Sequence, residues 1–469
     1  MASADEHPSS KISLVDYFIY CPLFCRKEGQ EEQKILYYHP STRELDRKIR
    51  TIGYCEGLVK FTETFTCEQP CESIHFQKSR LLFYPVENDI GFAMTLHVPV
   101  VEHKKDDKCF LEYLDERIND RVMLPILKIS YRYFALQYGT IFALIQRTSL
   151  ENARNVLKEY FDKFIECHLH RMIHHATLDS SFFGIHFISL DKQIYLKFQA
   201  VLRRFELQFA SLNETVFIYR NQLVWSGLNQ DDTALIYSFF RLYYWPHLKT
   251  MPHTSTIQYL SVNSCANQFN SSTNVTGQKF YLGSFSFSYS VLVLHYDSFT
   301  SFCIFHNDND LLNNEKTSTA TNLFRQDLEI VLPSFYGYLQ REHPIPDVAV
   351  KNAYYNKVNM AHSATINWHK DLSNPMSSVM NTLAEDLQWF HPSGEIMVKR
   401  ENDPWLIAKR SDRRELLVMI NQKSANLKQI RGNVKAFFSG IFFFDASIVD
   451  LDKIKQILST QFNSILLFE

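Results

Sequence analysis

The sequence predicts an α+β architecture made of three similar blocks, and three observations carry that expectation. VFIYRNQLVWSGLNQDD (216–232) reads as strand, turn, strand and capped helix. A looser copy of this unit opens the chain, and a third lies towards the C-terminus. Composition agrees: 45% hydrophobic and 21% charged over 469 residues is ordinary for a globular protein of two to four domains, at roughly 150 residues each.

The first block spans 14–176. VDYFIYCPLF is a strand candidate, CRKEGQEEQ a charged loop, and KILYYHP a second strand stopped by Pro40. The helix TRELDRKIRTIGYCEGLVKFTETF follows, then the strands SIHFQKSRLLFYPV and GFAMTLHVPVV, a long helix, and a helical connector over 150–176.

The second block, 179–342, begins around FFGIHFISL. A helix with Ile194, Phe198, Val201 and Phe205 at spacings of 4, 3 and 4 comes next. In the hairpin, Val216, Ile218, Leu223 and Trp225 are strand formers around a polar turn, Arg220-Asn221-Gln222, where Asn tolerates the turn backbone. Gly227 ends the second strand. Asn229 caps a helix whose first turn holds Asp231 and Asp232, close to a capping box with Asp in place of Glu or Gln. Leu235, Phe239 and Leu242 continue that helix at helical spacing. Residues 249–278, rich in Ser, Thr and Asn, read as a flexible loop. KFYLGSFSFSYSVLVLHY and FTSFCIFHN read as two alternating strands, 307–319 as a loop, and 320–342 as a helix.

HPIPD (343–347) reads as a linker to the third block, 350–469. That block holds an extended stretch (NKVNMAHSATI) and a helix with Pro375 at its first position. The strands PWLIAKR and RELLVMINQ follow, joined by the turn SDR. A last helix carries Leu451, Ile454, Leu458, Phe462 and Ile465.

Several function classes are disfavoured. A net charge of −2 argues against nucleic acid as the main ligand. The nine cysteines lack paired C-x-x-C sets and read as reduced thiols. No secretory leader is recognisable, and the longest apolar run, AFFSGIFFF (436–444), is far short of the ~20 residues that span a bilayer. The sequons at Asn213, Asn270 and Asn274 therefore carry little weight. Glycine-rich phosphate loops, G-x-S-x-G and H-E-x-x-H are all absent. His170 and His174, with Glu166 nearby, have metal-ligand spacing on a helix but no third ligand, so no metal or cofactor is expected.

Two features suggest contacts. KRSDRRE presents Lys409, Arg410, Arg413 and Arg414, suited to an anionic membrane or acidic partner, or else simply a solvated turn. The helix after the first hairpin has two apolar stripes: Leu45, Ile49, Ile52 and Val59 on one, Tyr54, Leu58, Phe61 and Phe65 on the other. At ~100° per residue they lie roughly 160–200° apart, so one sheet cannot cover both. The 38 Phe and 24 Tyr likewise suggest buried faces between domains or subunits.

KEGQEEQKILYYHP, KIRTIGYCEGLVKFTETF, WSGLNQDD and KRSDRRELLVMINQKSANL closely resemble segments of the Ccz family, one subunit of the Mon–Ccz exchange factor for the late-endosomal Rab GTPase. The resemblance implies three tandem longin domains, at 14–176, 179–342 and 350–469, each an antiparallel sheet of about five strands flanked by helices. It implies GDP release promoted without covalent chemistry, a Mon partner, and a cytoplasmic chain recruited to endosomal and lysosomal membranes. It leaves open a third subunit, the related Hermansky–Pudlak-type exchange complexes, and a trafficking adaptor without exchange activity. Tyr37, Tyr38, Ile49, Ile52 and Tyr54 become the expected GTPase or partner contacts. The loops at 249–278 and 307–319, and an insertion at 431–449, depart from the family pattern.

Overall fold

The computed structural model describes residues 11–421 except 66–70, 88, 106–107, 179–182, 252–255, 264–267, 273–276, 307–313, 342–349, 369, 372–373, 388–392 and 400–402. The linker at 343–347, the segment 431–449 and the last expected helix lie outside the described residues.

In the first unit β1 (Ser13–Tyr20) and β2 (Ile35–His39) form a hairpin, followed by α1 (Leu45–Glu63). Then come β3 (Ser73–His75), β4 (Ser79–Glu87) and β5 (Ile90–His97), giving an antiparallel sheet ordered β2-β1-β5-β4-β3. β6 (Val100–Lys105) and β7 (Lys108–Tyr113) make a separate ribbon. α2 (Asp120–Tyr138), α3 (Ile141–Arg147) and α4 (Leu150–Phe164) follow, and α4 runs through a π turn (Ile165–Leu169) into α5 (His170–His174).

The second unit has α6 (Lys192–Glu206), β8 (Leu212–Tyr219), β9 (Gln222–Ser226) and α7 (Gln230–Phe239). A second π turn (Phe240–Tyr244) leads into α8 (Trp245–Leu248). Next are β10 (Gln258–Asn263), β11 (Gln268–Ser272), β12 (Gly277–Leu282), β13 (Phe287–Tyr296), β14 (Phe299–Phe305) and α9 (Asn314–Arg341). The third unit has β15 (Val350–Asn356), β16 (Ala361–Ala364), α10 (Asn374–Asp386), β17 (Ser393–Val398), β18 (Trp405–Ser411) and β19 (Arg414–Ile420).

Numbered within its own unit, each sheet has the order second, first, fifth, fourth, third strand; the middle sheet adds the β10–β11 hairpin. The repeat read from the hairpin-and-helix pattern is thus a repeat of topology.

The first sheet is covered on both faces, which explains the apolar run Tyr17–Tyr20 in β1. Tyr17 and Ile19 point to α2 and α4, while Phe18 and Tyr20 point to α1. A strand buried on both sides has no polar face to alternate with. The middle sheet is similar. Val216, Ile218 and Phe302 face α7, and Phe217, Phe299 and Cys303 face α6 and α9. Ile194, Phe198, Val201 and Phe205 are all buried there.

Some expectations are corrected. The Ser/Thr/Asn-rich stretch 249–278 contains β10, β11 and the start of β12 rather than a loop throughout; Tyr259 and Leu260 anchor it, and polar residues are at home on edge strands. KFYLGSFSFSYSVLVLHY is two strands. Gly283, Ser284 and Phe285 all take positive φ (60°, 58° and 63°) and reverse the chain between β12 and β13. Lys357–Met360 is the turn of the β15–β16 hairpin, not part of one extended stretch. α9 begins at Asn314, six residues before the expected 320. In the β8–β9 turn the left-handed position is Arg220 (φ 51°) instead of Asn221, fixed by its N–H donating to Ser298 O at 2.7 Å. The Asn229 cap forms: its Oδ1 accepts from Asp232 N at 2.9 Å, and its Nδ2 donates to Asp232 Oδ2 at 2.7 Å.

α2 ties the units together. Its Arg121 donates to Ala384 O at the end of α10 (2.5 Å) and to Glu415 Oε2 on β19 (3.0 Å). Glu415 also pairs with Lys357 at 2.7 Å. Burial alone would raise the Glu415 carboxyl pKa, but Arg121 and Lys357 more than offset it and hold it below the usual range. Arg121→Ala is expected to cost about 2 kcal/mol or more at neutral pH, because a buried carboxylate loses a partner. A depressed carboxyl pKa gives stability that is present above the unfolded-state value and lost as pH falls through the folded one. Urea unfolding should therefore show a smaller gap between wild type and variant at pH 3.5 than at pH 7.

The connection into the second unit is equally close. Ile185 N donates to Met360 O, and His362 N to Ile185 O, both at 2.8 Å. A Cβ on Gly184 would lie 2.3 Å from His362 Cβ. Gly184→Ala should thus destabilise by about 1–3 kcal/mol in denaturant unfolding, as overpacking does.

Candidate functional site

α1 lies on the face of the first sheet opposite α2. Ile52 (2% exposed) and Cys55 seat it on Phe18, Tyr20, Tyr38 and Leu81, with Val59 packed alongside. Lys34 on the β2 side holds Glu56 at 2.7 Å. The inner side is therefore the stripe of Ile52 and Val59, joined by Cys55.

The other stripe is open. Tyr54 is 52% exposed, Phe61 60% and Phe65 71%. Tyr54 meets Phe76 with ring centroids 6.1 Å apart, and Phe61 packs edge-on against Phe65 at 4.9 Å. Leu58 is half-buried, and a Cβ at Gly53 or Gly57 would meet nothing within 4 Å. Large aromatics held together on an open face are what a docking partner buries.

The expected contact residues divide accordingly. Tyr54 is on the open side and Ile49 is half-buried. Tyr37, Tyr38 and Ile52 are placed in this chain's own core. Tyr37 turns towards α4, its hydroxyl donating to Asp162 Oδ1 at 2.7 Å. Tyr38, one residue on, turns to the opposite face and stacks on Phe18 at 5.3 Å. With both faces of the sheet covered, neither tyrosine presents its side chain to a partner. Phe61 and Phe65 were on the second stripe in sequence but outside the chosen contacts, and Phe76 gave no periodic signal.

The basic run forms the β18–β19 turn, with Ser411 paired to Arg414 and Asp412 at φ 53°. Arg413 is exposed. Arg410 Nε donates to Asp412 O at 3.1 Å, and Lys409 pairs with Glu395 at 3.2 Å. Glu415 faces inward to Arg121 and Lys357, so it takes little positive charge from this turn.

His170 and His174 follow the π turn. His170 sits by His39, rings 6.4 Å apart, and burial and then His174 lower its pKa. Glu166 is exposed and engages Lys163 at 3.7 Å. No three His, Cys, Asp or Glu side chains among the described residues gather as a metal site. The seven described cysteines are free thiols. No described helix is long and apolar enough to cross a membrane.

The family model for the first longin domain of INTU, CCZ1 and HPS4 matches residues 14–139, and that for Intu longin-like domain 3 matches 347–436. A protein named vacuolar fusion protein CCZ1 homolog in Xenopus laevis is 30% identical over 95% of this chain and 100% of its own length. One of the same name in Danio rerio is 31% identical over 95% and 98%, and one in Dictyostelium discoideum 26% identical over 93% and 98%. The fold is α+β, with longin domains in tandem.

The two stripes of α1 should respond differently to charge. Ile52→Asp buries an unpaired carboxylate and should lower the melting temperature steeply or leave the protein insoluble. Tyr54→Asp places its charge in water and should melt within about 0.5 kcal/mol of wild type. Thermal unfolding of the two purified variants checks this.

Proposed function

The chain belongs to the family of vacuolar fusion protein CCZ1 homologues, and from that premise we propose that it is one subunit of a two-chain guanine-nucleotide exchange factor for a late-endosomal Rab GTPase. The observation that carries this reading is the exposed aromatic side of α1: a flanking helix is fixed to its sheet by one stripe and offers Tyr54, Phe61 and Phe65 on the other. The partner is a longin chain of the Mon type, seated on or beside this helix.

The mechanism is differential binding. The paired platform holds the GTPase switch region, displaces groups that bind magnesium and phosphate, and so binds the nucleotide-free form more tightly than the GDP form. Linkage then requires GDP to be held more weakly in the complex. No nucleophile or acid–base pair is needed. Contact with an anionic endosomal membrane runs through the β18–β19 turn, where Arg413 is exposed.

An exchange assay tests the reading. The chain alone should leave GDP release near its basal rate, and the reconstituted pair should accelerate it. Tyr54→Asp with Phe61→Asp should stay folded and reduce that acceleration by about 30-fold or more, since interface anchors commonly cost 2 kcal/mol or more. Full activity of the chain alone, or of the pair carrying both substitutions, contradicts it. A different longin partner on co-purification would point to a Hermansky–Pudlak-type complex instead.

Replacing Lys409, Arg410, Arg413 and Arg414 by Gln should weaken liposome sedimentation in a salt-sensitive way. Each basic group near an anionic surface contributes about 1 kcal/mol. Unchanged binding at low salt returns the segment to a solvated turn.

A further inference from the structure

A cavity of about 390 Å³ lies where α2 of the first unit meets α5 and the helix that continues α7. Its apolar wall includes Ile126, Met172, Phe183 and Leu242, and two buried hydroxyl residues, Tyr133 and Ser238, reach it. At its rim are Arg171 and Arg241, both exposed, with His175 between the same elements. Neither arginine has a carboxylate within ion-pair distance among the described residues; Arg241 lies near the Tyr237 ring, 6.0 Å from its centroid. This contrasts with Arg80 and Arg121, whose guanidinium groups are paired.

The helices that supply the two arginines share a second peculiarity. The π turn Ile165–Leu169 comes just before Arg171, and the π turn Phe240–Tyr244 contains Arg241. A π turn adds a residue to the helical circuit and re-aims the side chains around it, and such turns concentrate at functional sites. Here the two are in contact: the His168 and Tyr243 rings lie 4.8 Å apart.

We propose that this cavity binds an anionic amphiphile, an oxyanion head on a short apolar body, with Arg171 and Arg241 holding the head and Ile126, Met172, Phe183 and Leu242 enclosing the tail. The volume lies within the roughly 300–1,000 Å³ of small-molecule pockets. Planar guanidinium groups suit carboxylate or phosphate oxygens, and charge-assisted hydrogen bonds are the strong ones. The site is separate from the α1 surface, on the other side of the first sheet, and stands independently of the exchange reading.

Octyl phosphate is the probe, titrated calorimetrically into the full chain, with its co-purifying partner if one is present. Inorganic phosphate and 1-octanol test head and tail alone. Octyl phosphate should bind saturably and at least about tenfold more tightly than either fragment. Arg171→Gln with Arg241→Gln should weaken it about tenfold or more, leave 1-octanol unchanged and leave the melting temperature unchanged, both side chains being exposed. Displacement of octyl phosphate by phosphatidic acid vesicles, but not phosphatidylcholine vesicles, assigns the site to a membrane lipid. Failure of both vesicles to displace it assigns the site to a soluble acid. No saturable binding of octyl phosphate, or unchanged binding in the folded double variant, overturns the proposal.

Discussion

Helix α2 is buried on every side but one narrow stripe, Arg121, Pro125, Lys128 and Arg132, and the arrangement of the units depends on that. Tyr131, Tyr133, Phe134 and Leu136 are all in the core, as are Met123, Leu127 and Ser130. Phe134 stacks with Phe161 against the first sheet, at 5.6 Å. Tyr133 meets Phe239 and Tyr243 of the second unit at 5.8 and 6.1 Å. Val122 joins the core of the third unit. A helix that is apolar over most of its circumference needs neighbours on most sides, and each fully buried large side chain favours them by roughly 1.5–3 kcal/mol. At its N-terminal end Asp120 accepts from Ser73 (2.5 Å) and pairs with Arg80, while Arg121 reaches the third unit. One face of the first sheet is committed to this shared core. Its opposite face is left to α1, on whose outer side, among the described residues, Tyr54 meets Phe76.

The hairpin-and-helix grammar was legible because it rests on local chemistry: the strand formers of 216–225, the Gly227 stop and the Asn229 cap all act within a few residues. The four-residue core stripe of α6 was legible for the same reason. Less local matters were not. MLPILKISYRYFALQY (123–138) is apolar on every side but the stripe of Pro125, Lys128 and Arg132, yet the sequence points to two-sided burial for α1, where it shows two distinct stripes and the structure covers one at Ile52 and Val59 while Leu45 stays exposed. Tyr37 and Tyr38 were expected as partner contacts, and their burial follows only once both faces of the sheet are seen to be covered. β10 and β11 were hidden by serine and asparagine, which an edge strand tolerates. The π turns leave no periodic trace in sequence, so the rim that Arg171 and Arg241 form was invisible there.

For a chain of this family, the separation of roles is physically sensible. On the proposed function, a longin unit serves as a rigid support whose buried aromatics define a shape, while a few exposed side chains would do the recognising. The inner stripe of α1 is held by Ile52 and Cys55 on a sheet that is itself pinned to α2. Its outer aromatics are thereby presented in a fixed arrangement at low conformational cost, which favours binding over reshaping. A partner that covers them removes apolar surface from water without disturbing the core behind.

The central claim is that the outer side of α1 is the face a partner chain covers. Site-specific photo-crosslinking tests it most directly, with a benzophenone amino acid in place of Phe61 and, as control, in place of Leu207, which is 84% exposed at the end of α6. The account predicts a covalent adduct with the co-purifying longin chain from position 61 and none from position 207. An adduct from 207 alone, or none from 61 while the partner remains bound, would contradict it.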